Sequence, residues 1–255
     1  MAPNKFRPKD SPVYAILPGG ELRNYYGIPE ASIPDDLART LKHGYYAAIS
    51  YTDTQIGKVL DELDRLDLRK NTIVLLVGDH GWKLGEHDAW AKHTNTENDT
   101  HAPLLLSAPG MKHAGESSAS FVEFVDVYPT LAELAGLSLP SHLEGLSFKP
   151  VLDDPKRPWK RAAFSQYPRA ANKSTGGVAL MGYSMRTDRY RLTQWVQRDD
   201  HSKVTAVELF DHQTDPQENT NIAEHPDQAA TVKRLIAQLQ EGYRGALPVA
   251  AKGSH

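Results

Sequence analysis

The densest run of ligand-type side chains in the sequence is Gly78-Asp79-His80-Gly81-Trp82-Lys83-Leu84-Gly85-Glu86-His87-Asp88-Ala89-Trp90-Ala91-Lys92-His93. An Asp followed at once by a His, with glycine on either side, offers a carboxylate oxygen and an imidazole nitrogen from one tight turn. Those are donor types that a divalent cation takes. Two donors do not close a coordination shell, so further carboxylates would have to come from elsewhere in the fold. The same two residues would also serve as an ordinary cap for the next element. Lys92 and His93 end the run, and a lysine near a cation is repelled unless an anion lies between them, which points to an anionic substrate group. The bland alternative is an exposed lysine next to an exposed histidine. Trp82 and Trp90 either wall a pocket or anchor the loop in the core. His87 and His101 are weaker candidates, and the sequons at Asn98-Asp99-Thr100 and Asn172-Lys173-Ser174 are a low-specificity pattern.

The elements that must position this run are legible on both sides of it. Residues 1–34 are rich in Pro, Gly and polar side chains without a sustained period and read as an irregular segment. From Asp35, residues Leu37, Leu41, Tyr45, Ile49, Thr52, Ile56, Leu60, Leu63 and Leu66 recur at intervals of three and four, which predicts a long amphipathic helix over 35–67. The β-branched and apolar run 72–77 predicts a strand buried on both faces, and 103–107 a second one. A helix leading into such a strand implies a parallel α/β sheet, in which ligands bind beyond the carboxyl ends of strands, where residues 78–93 begin. A helical period over 121–135 closes at Gly136.

Prolines at 140, 150, 155 and 158 mark a boundary, so 35–159 reads as part of an α/β domain. Over 160–245 the character shifts to short strands at 163–167, 178–185, 190–196 and 207–210, an antiparallel meander covered by a last helix over 227–242. Residues 246–255 read as a tail, ending in a cloning remnant.

Composition narrows the function classes. With 255 residues and 40% hydrophobic side chains, the chain can fill a real core. Twenty-nine Lys and Arg against 32 Asp and Glu lack the basic excess of a nucleic-acid binder. The absence of cysteine excludes disulfides, thiolate metal sites and a cysteine nucleophile. No run is long and apolar enough to span a bilayer, and the opening residues lack a signal-peptide core, so the sequence leaves the compartment open.

Several ordered stretches carry a resemblance. They are Tyr45-Tyr-Ala-Ala-Ile-Ser-Tyr-Thr-Asp53-Thr-Gln-Ile-Gly57, Gly78-Asp-His-Gly-Trp-Lys-Leu-Gly-Glu-His87, Trp90-Ala-Lys-His93 and Ala102-Pro-Leu-Leu-Leu-Ser-Ala-Pro-Gly110. They continue with Val125-Asp-Val-Tyr-Pro-Thr-Leu-Ala-Glu-Leu-Ala-Gly136, Ser165-Gln-Tyr-Pro-Arg169, Met181-Gly-Tyr-Ser-Met-Arg-Thr187 and Glu208-Leu-Phe-Asp-His-Gln-Thr-Asp-Pro216. Together, over residues 5–243, this set resembles the sulfatases, within the iduronate-2-sulfatase-like branch. The resemblance implies an alkaline-phosphatase-like α/β fold with a small C-terminal antiparallel sheet-and-helix subdomain. It also implies that Asp79 and His80 are two ligands of a Ca2+ ion, with Mg2+ or Mn2+ as alternatives. Lys92 would contact the substrate sulfate, Trp82 would line the pocket, and His93 would be a further substrate contact.

The implied substrate is a sulfate ester of a sugar or glycosaminoglycan-like saccharide, and the family's usual compartments are periplasmic, secreted or lysosomal. The family's nucleophile is a formylglycine made from the Cys or Ser of a Cys/Ser-x-Pro/Ala-x-Arg motif, and no residue of this sequence stands in that context. The chain therefore corresponds to the C-terminal half of a sulfatase, with a separate N-terminal half or self-association as expected partners. A phosphodiesterase or phosphonate monoester hydrolase of the same superfamily, or a non-catalytic fragment, are the alternative readings. An unpaired strand edge at 72–77 and an uncovered helix face predict that the isolated chain is marginal or self-associating. Sedimentation together with a thermal melt checks this, and a monomer with a cooperative high-temperature transition would contradict it.

Overall fold

The structure, a computed structural model, describes residues 1–18, 20–30 and 32–248, so the last part of the expected tail lies outside the described residues. In chain order the helices and strands are α1 (Asp35–Arg65), β1 (Val74–Val77), β2 (Lys83–Leu84), β3 (Trp90–Ala91), α2 (Glu97–Thr100), β4 (Leu104–Ser107), α3 (Val127–Leu134) and α4 (Lys149–Asp153). They continue with β5 (Ala163–Arg169), β6 (Leu180–Arg186), β7 (Tyr190–Gln197), β8 (Asp200–Asp211) and α5 (Ala229–Ala246). Two compact units result. One combines Met1–Leu41, Asp79–Ala102 and Arg161–Ala246, and the other contains Lys42–Gly78 and Pro103–Lys160.

The first unit is built on an antiparallel sheet in the order β5-β6-β7-β8. Side chains alternate along a strand, so each face of this sheet has its own composition. Phe164, Met185, Leu192, Val207 and Leu209 face α5, which contributes Val232, Leu235, Ile236 and Leu239 to an apolar core. This is the meander-plus-helix expected from the pattern. The opposite face carries Tyr167, Arg169, Gly182, Ser184, Arg191, Thr193, Trp195 and Glu208, a polar set that apolar periodicity does not flag. Part of it is covered by Tyr14 and Ala15 of the N-terminal segment, which pack with Leu180 and Trp195. Gly182 is required there, because a Cβ at this position would lie 2.8 Å from the Asn95 amide nitrogen and from the Trp195 ring.

An ion network joins that polar face to α2. Arg191, 2% exposed, donates through Nε to Glu218 at 2.5 Å and through Nη2 to Glu97. Arg186 also reaches Glu97, at 3.1 Å. Glu218 accepts further bonds from the Glu97 amide and from His212 Nε2, each at 2.9 Å. Glu97, His212 and Glu218 lie close enough together to suggest a metal cluster. Arg191 bridges the two carboxylates, and Arg186 supplies a second positive charge, so the group is an ion-pair network.

In the second unit β1 pairs antiparallel with β4, Val74 opposite Ser107 and Val77 opposite Leu104. This corrects the expected parallel arrangement for these two strands. The chain between them folds back through a small hairpin instead of a crossover helix, so it returns in the opposite direction. The strands are also not buried on both faces: Val77 is 40% and Leu105 61% exposed. Helix α1 forms nearly as expected but buries only Ala38, leaving Ile49 and Val59 among its exposed apolar residues. The helix expected over 121–135 begins later: α3 follows a single 3-10 turn, Phe124–Asp126.

Burial disfavours the Glu218 carboxylate, yet Arg191 and the hydrogen bonds from His212 and the Glu97 amide outweigh it and hold its pKa down to about 2 against an ordinary 4.5. The resulting stabilisation is present above about pH 4.5 and is lost as pH falls toward about 2. Urea unfolding across an acidic pH series should show this slope, and Glu218→Gln should flatten it while lowering stability at neutral pH.

Candidate functional site

Residues 79–93 lie entirely in the first unit, and most of them form a two-stranded hairpin. Its register sets Lys83 opposite Ala91 and Leu84 opposite Trp90. Continuing that register outward brings Trp82 across from Lys92, and the Lys92 ammonium lies 5.2 Å from the Trp82 ring centroid. The His80 ring stacks on Trp82 at 5.9 Å with 24° between planes. Trp82 is therefore the surface shared by the candidate metal ligand and the candidate anion contact.

Asp79 and His80 are presented as adjoining donors. His80 Nδ1 faces the Gly81 carbonyl at 2.8 Å, and since a carbonyl only accepts, Nδ1 carries the hydrogen. That leaves Nε2 as the ligand atom, 3.5 Å from Asp79 Oδ2. An orienting hydrogen bond on the far ring nitrogen is the usual companion of a metal-binding histidine. The Asp79 side chain is 90% exposed and that of His80 30%, so the carboxylate is open to an incoming ion and the imidazole partly so. This pair fits a divalent cation that takes its remaining ligands elsewhere.

Lys92 meets a residue that sequence reasoning missed. Glu21, on the 3-10 turn Gly20–Asn24, places Oε2 2.9 Å from Lys92 Nζ and 3.9 Å from His93 Nε2. The Lys92 ammonium, within hydrogen-bond reach, is the main influence that holds the Glu21 carboxyl below the usual carboxylate range, with smaller help from His93 and His80. No period or motif marks Glu21, and it lies 71 residues from Lys92, so nothing local could have pointed to it.

His93 stacks on Tyr167 at 5.5 Å, and its carbonyl accepts from Arg169 Nη2 at 2.9 Å. Arg169 also donates to the Tyr14 and Ala15 carbonyls, at 2.5 and 2.8 Å, and its guanidinium lies over the Tyr167 ring. Burial lowers its pKa from the ordinary arginine value. Tyr167 and Arg169 belong to the stretch Ser165-Gln-Tyr-Pro-Arg169, whose types and spacing assign neither a role.

The hairpin is fastened at its base by Asp99. Its carboxylate accepts from Lys83 Nζ, from the Thr94 amide at 2.7 Å and from the Thr94 hydroxyl at 2.6 Å, and its carbonyl accepts from Gly81 N at 2.9 Å. Gly81 must be glycine for this approach, because a Cβ would lie 1.9 Å from the Asn98 carbonyl oxygen. Lys83 is 1% exposed, and its desolvation lowers its pKa despite Asp99. Along the hairpin, His87, Asp88, Ala91 and His93 all have positive φ, between 55° and 92°. Non-glycine residues held there store strain of the kind concentrated at functional sites, about 1–3 kcal/mol each. His87 is fully buried, with its backbone tied to Asn4, and His101 is an exposed partner of Glu97; neither reaches the Lys92 cluster.

The hairpin thus sets the adjoining Asp79 and His80 side chains and the Lys92 ammonium around the Trp82 ring. Residues 85–244 match the family profile for the C-terminal part of N-sulphoglucosamine sulphohydrolase, and residues 21–137 match the Sulfatase profile. The chain belongs to the sulfatase family. It is 32% identical to mouse iduronate 2-sulfatase, over 87% of this chain and 52% of that protein. To human arylsulfatase K it is 30% identical, over 85% of this chain and 40% of that protein.

Among solved structures, a protein in complex with its substrate D-glucosamine-2-N,6-O-disulfate superposes with a TM-score of 0.69 at 29% identity, over 79% of this chain and 40% of that one. A phosphonate monoester hydrolase from Silicibacter pomeroyi does so with a TM-score of 0.76 at 26% identity, over 89% and 45%. The chain thus spans about half the length of the curated iduronate 2-sulfatases it matches.

Asp99→Ala leaves Lys83 buried without its counter-charge and should destabilise the first unit by about 3–5 kcal/mol. Denaturant unfolding monitored by tryptophan fluorescence reads the loss, and an unchanged midpoint would show that Asp99 does not fasten the hairpin.

Proposed function

We propose that this chain supplies the metal-binding and sulfate-binding part of a sulfuric ester hydrolase that acts on sulfated sugars or glycosaminoglycan-like saccharides. The observation that carries the reading is the convergence of Lys92 and the Asp79–His80 pair on Trp82. Relatives named iduronate 2-sulfatase, and the solved protein bound to a disulfated glucosamine, support a sulfated sugar as substrate.

In this reading Asp79 and His80 hold a divalent ion, Ca2+ before Mg2+ or Mn2+, and the ion polarises a sulfuryl oxygen when bound. Lys92 donates a hydrogen bond to a sulfuryl oxygen, an electrostatic contribution set in place before the reaction. His93, stacked on Tyr167, would be a further substrate contact and could give a proton to the leaving alkoxide. Trp82 walls the pocket. None of these side chains is the nucleophile. A formylglycine on polypeptide outside these 255 residues takes that role, because they contain no cysteine and no serine in the required context. The same polypeptide would cover the exposed apolar residues Ile49, Val59, Val77 and Leu105 of the second unit. Among the described residues no helix is long and apolar enough to cross a membrane.

A second reading, a phosphonate monoester hydrolase, draws on the Silicibacter pomeroyi structure. Assays with calcium on an aryl sulfate and an aryl phosphonate monoester, of the purified chain alone and together with the formylglycine-bearing half, separate these readings from one another. Alone, the chain should turn over neither ester but bind calcium, with affinity reduced by at least about tenfold in Asp79→Ala. Supplied with the formylglycine-bearing half, it should cleave the sulfate ester in preference to the phosphonate. Sulfate cleavage by the chain alone would overturn the assignment of the nucleophile, and preferential phosphonate cleavage would favour the second reading.

A further inference from the structure

Lys92 does not stand as a free cation. Its ammonium is within ion-pair distance of a single carboxylate among the described residues, Glu21 at 2.9 Å, and both side chains are mostly out of water, 26% and 21% exposed. The carboxylate reaches the site from a separate segment and extends toward His93 as well. Screening is weak at such a place, so one formal charge more or less changes the energy of a bound anion substantially. An ammonium has three donors, and its ion pair with Glu21 leaves donors for a ligand oxygen. The pair therefore offers hydrogen bonds while contributing no net charge.

We propose that Glu21 is a specificity residue that restricts the Lys92 site to esters carrying one negative charge and rejects those carrying two. This rests on Lys92 being the sulfate contact. A sulfate monoester is a monoanion at neutral pH, as are phosphonate monoesters and phosphodiesters. A phosphate monoester, with a second pKa near 6, is a dianion above neutrality. All these ligands present similar tetrahedral oxygens, so shape separates them poorly and charge separates them well. Against the neutral Lys92–Glu21 pair a monoanion adds one charge, whereas the second charge of a dianion is set against the Glu21 carboxylate without compensation.

The test compares binding of 4-nitrophenyl sulfate and 4-nitrophenyl phosphate at pH 8, followed by NMR shifts of the tryptophan indole N–H groups, in the chain and in Glu21→Gln, Glu21→Asp and Lys92→Ala. The original chain should prefer the sulfate ester. Glu21→Gln should gain about tenfold in affinity for the phosphate ester while changing its affinity for the sulfate ester by less than about threefold. Glu21→Asp, which keeps the charge, should retain the original preference. Equal tightening of both esters in Glu21→Gln would overturn the proposal in favour of Glu21 as an occupant of the anion position. Equal weakening would overturn it in favour of Glu21 merely orienting Lys92. Affinities for both esters that are unaltered in Lys92→Ala would instead overturn the sulfate-contact reading beneath it.

Discussion

The arrangement of the site depends on one buried carboxylate. Asp99 receives the amide and hydroxyl of Thr94, immediately after His93, and the ammonium of Lys83, immediately after Trp82, while its own carbonyl receives Gly81, immediately after His80. Both ends of the hairpin are thus tied to a single residue. Removing a lysine and an aspartate from water is costly unless the remaining polar atoms are satisfied. Thr94 and Thr96 complete that environment, with a hydroxyl contact at 2.8 Å. This closure works with the Asn4 carbonyl at His87 N and Arg169 at the His93 carbonyl to hold the positive φ angles along the hairpin.

The sheet beneath it has two distinct faces. One is an ordinary apolar surface for α5. The other places Arg169 under the His93 carbonyl and Arg191 under α2, two guanidinium groups that reach across to backbone and carboxylate oxygens. Arginine suits this because its several donors lie in a fixed plane and can join separate segments at once. Hydrophobic burial therefore builds the sheet, and buried polar bonds dock the site segment on it.

That division decides what could be read from the sequence. The meander and α5 follow apolar periodicity, and α1 starts at Asp35 as its period and acidic residues indicate. Asp79, His80, Trp82, Lys92 and His93 stand close in sequence, and the hairpin brings Trp82, His80 and Lys92 together. The direction of β4 relative to β1 was not legible, because apolar runs report burial and carry no information about pairing sense. The exposure of these strands contradicts even the burial that such runs suggest. Glu21 was invisible because its partner is fixed by a tertiary approach, and Arg169 because its bonds go to main-chain carbonyls, which any sequence supplies.

The bonds of Arg169 also say when this site can come into being. They span 155 residues to Tyr14 and 76 to His93, so three segments distant along the chain must meet at one guanidinium. Closing loops of that size costs entropy before any contact repays it, and contacts of this range form late in folding. During synthesis the residues that would bind an anion and a metal leave the ribosome well before the strand that fixes their backbone. Until β5 has emerged and paired, the closure on Asp99 has its partners, but the His93 carbonyl and the Tyr14–Ala15 segment lack the guanidinium that joins them.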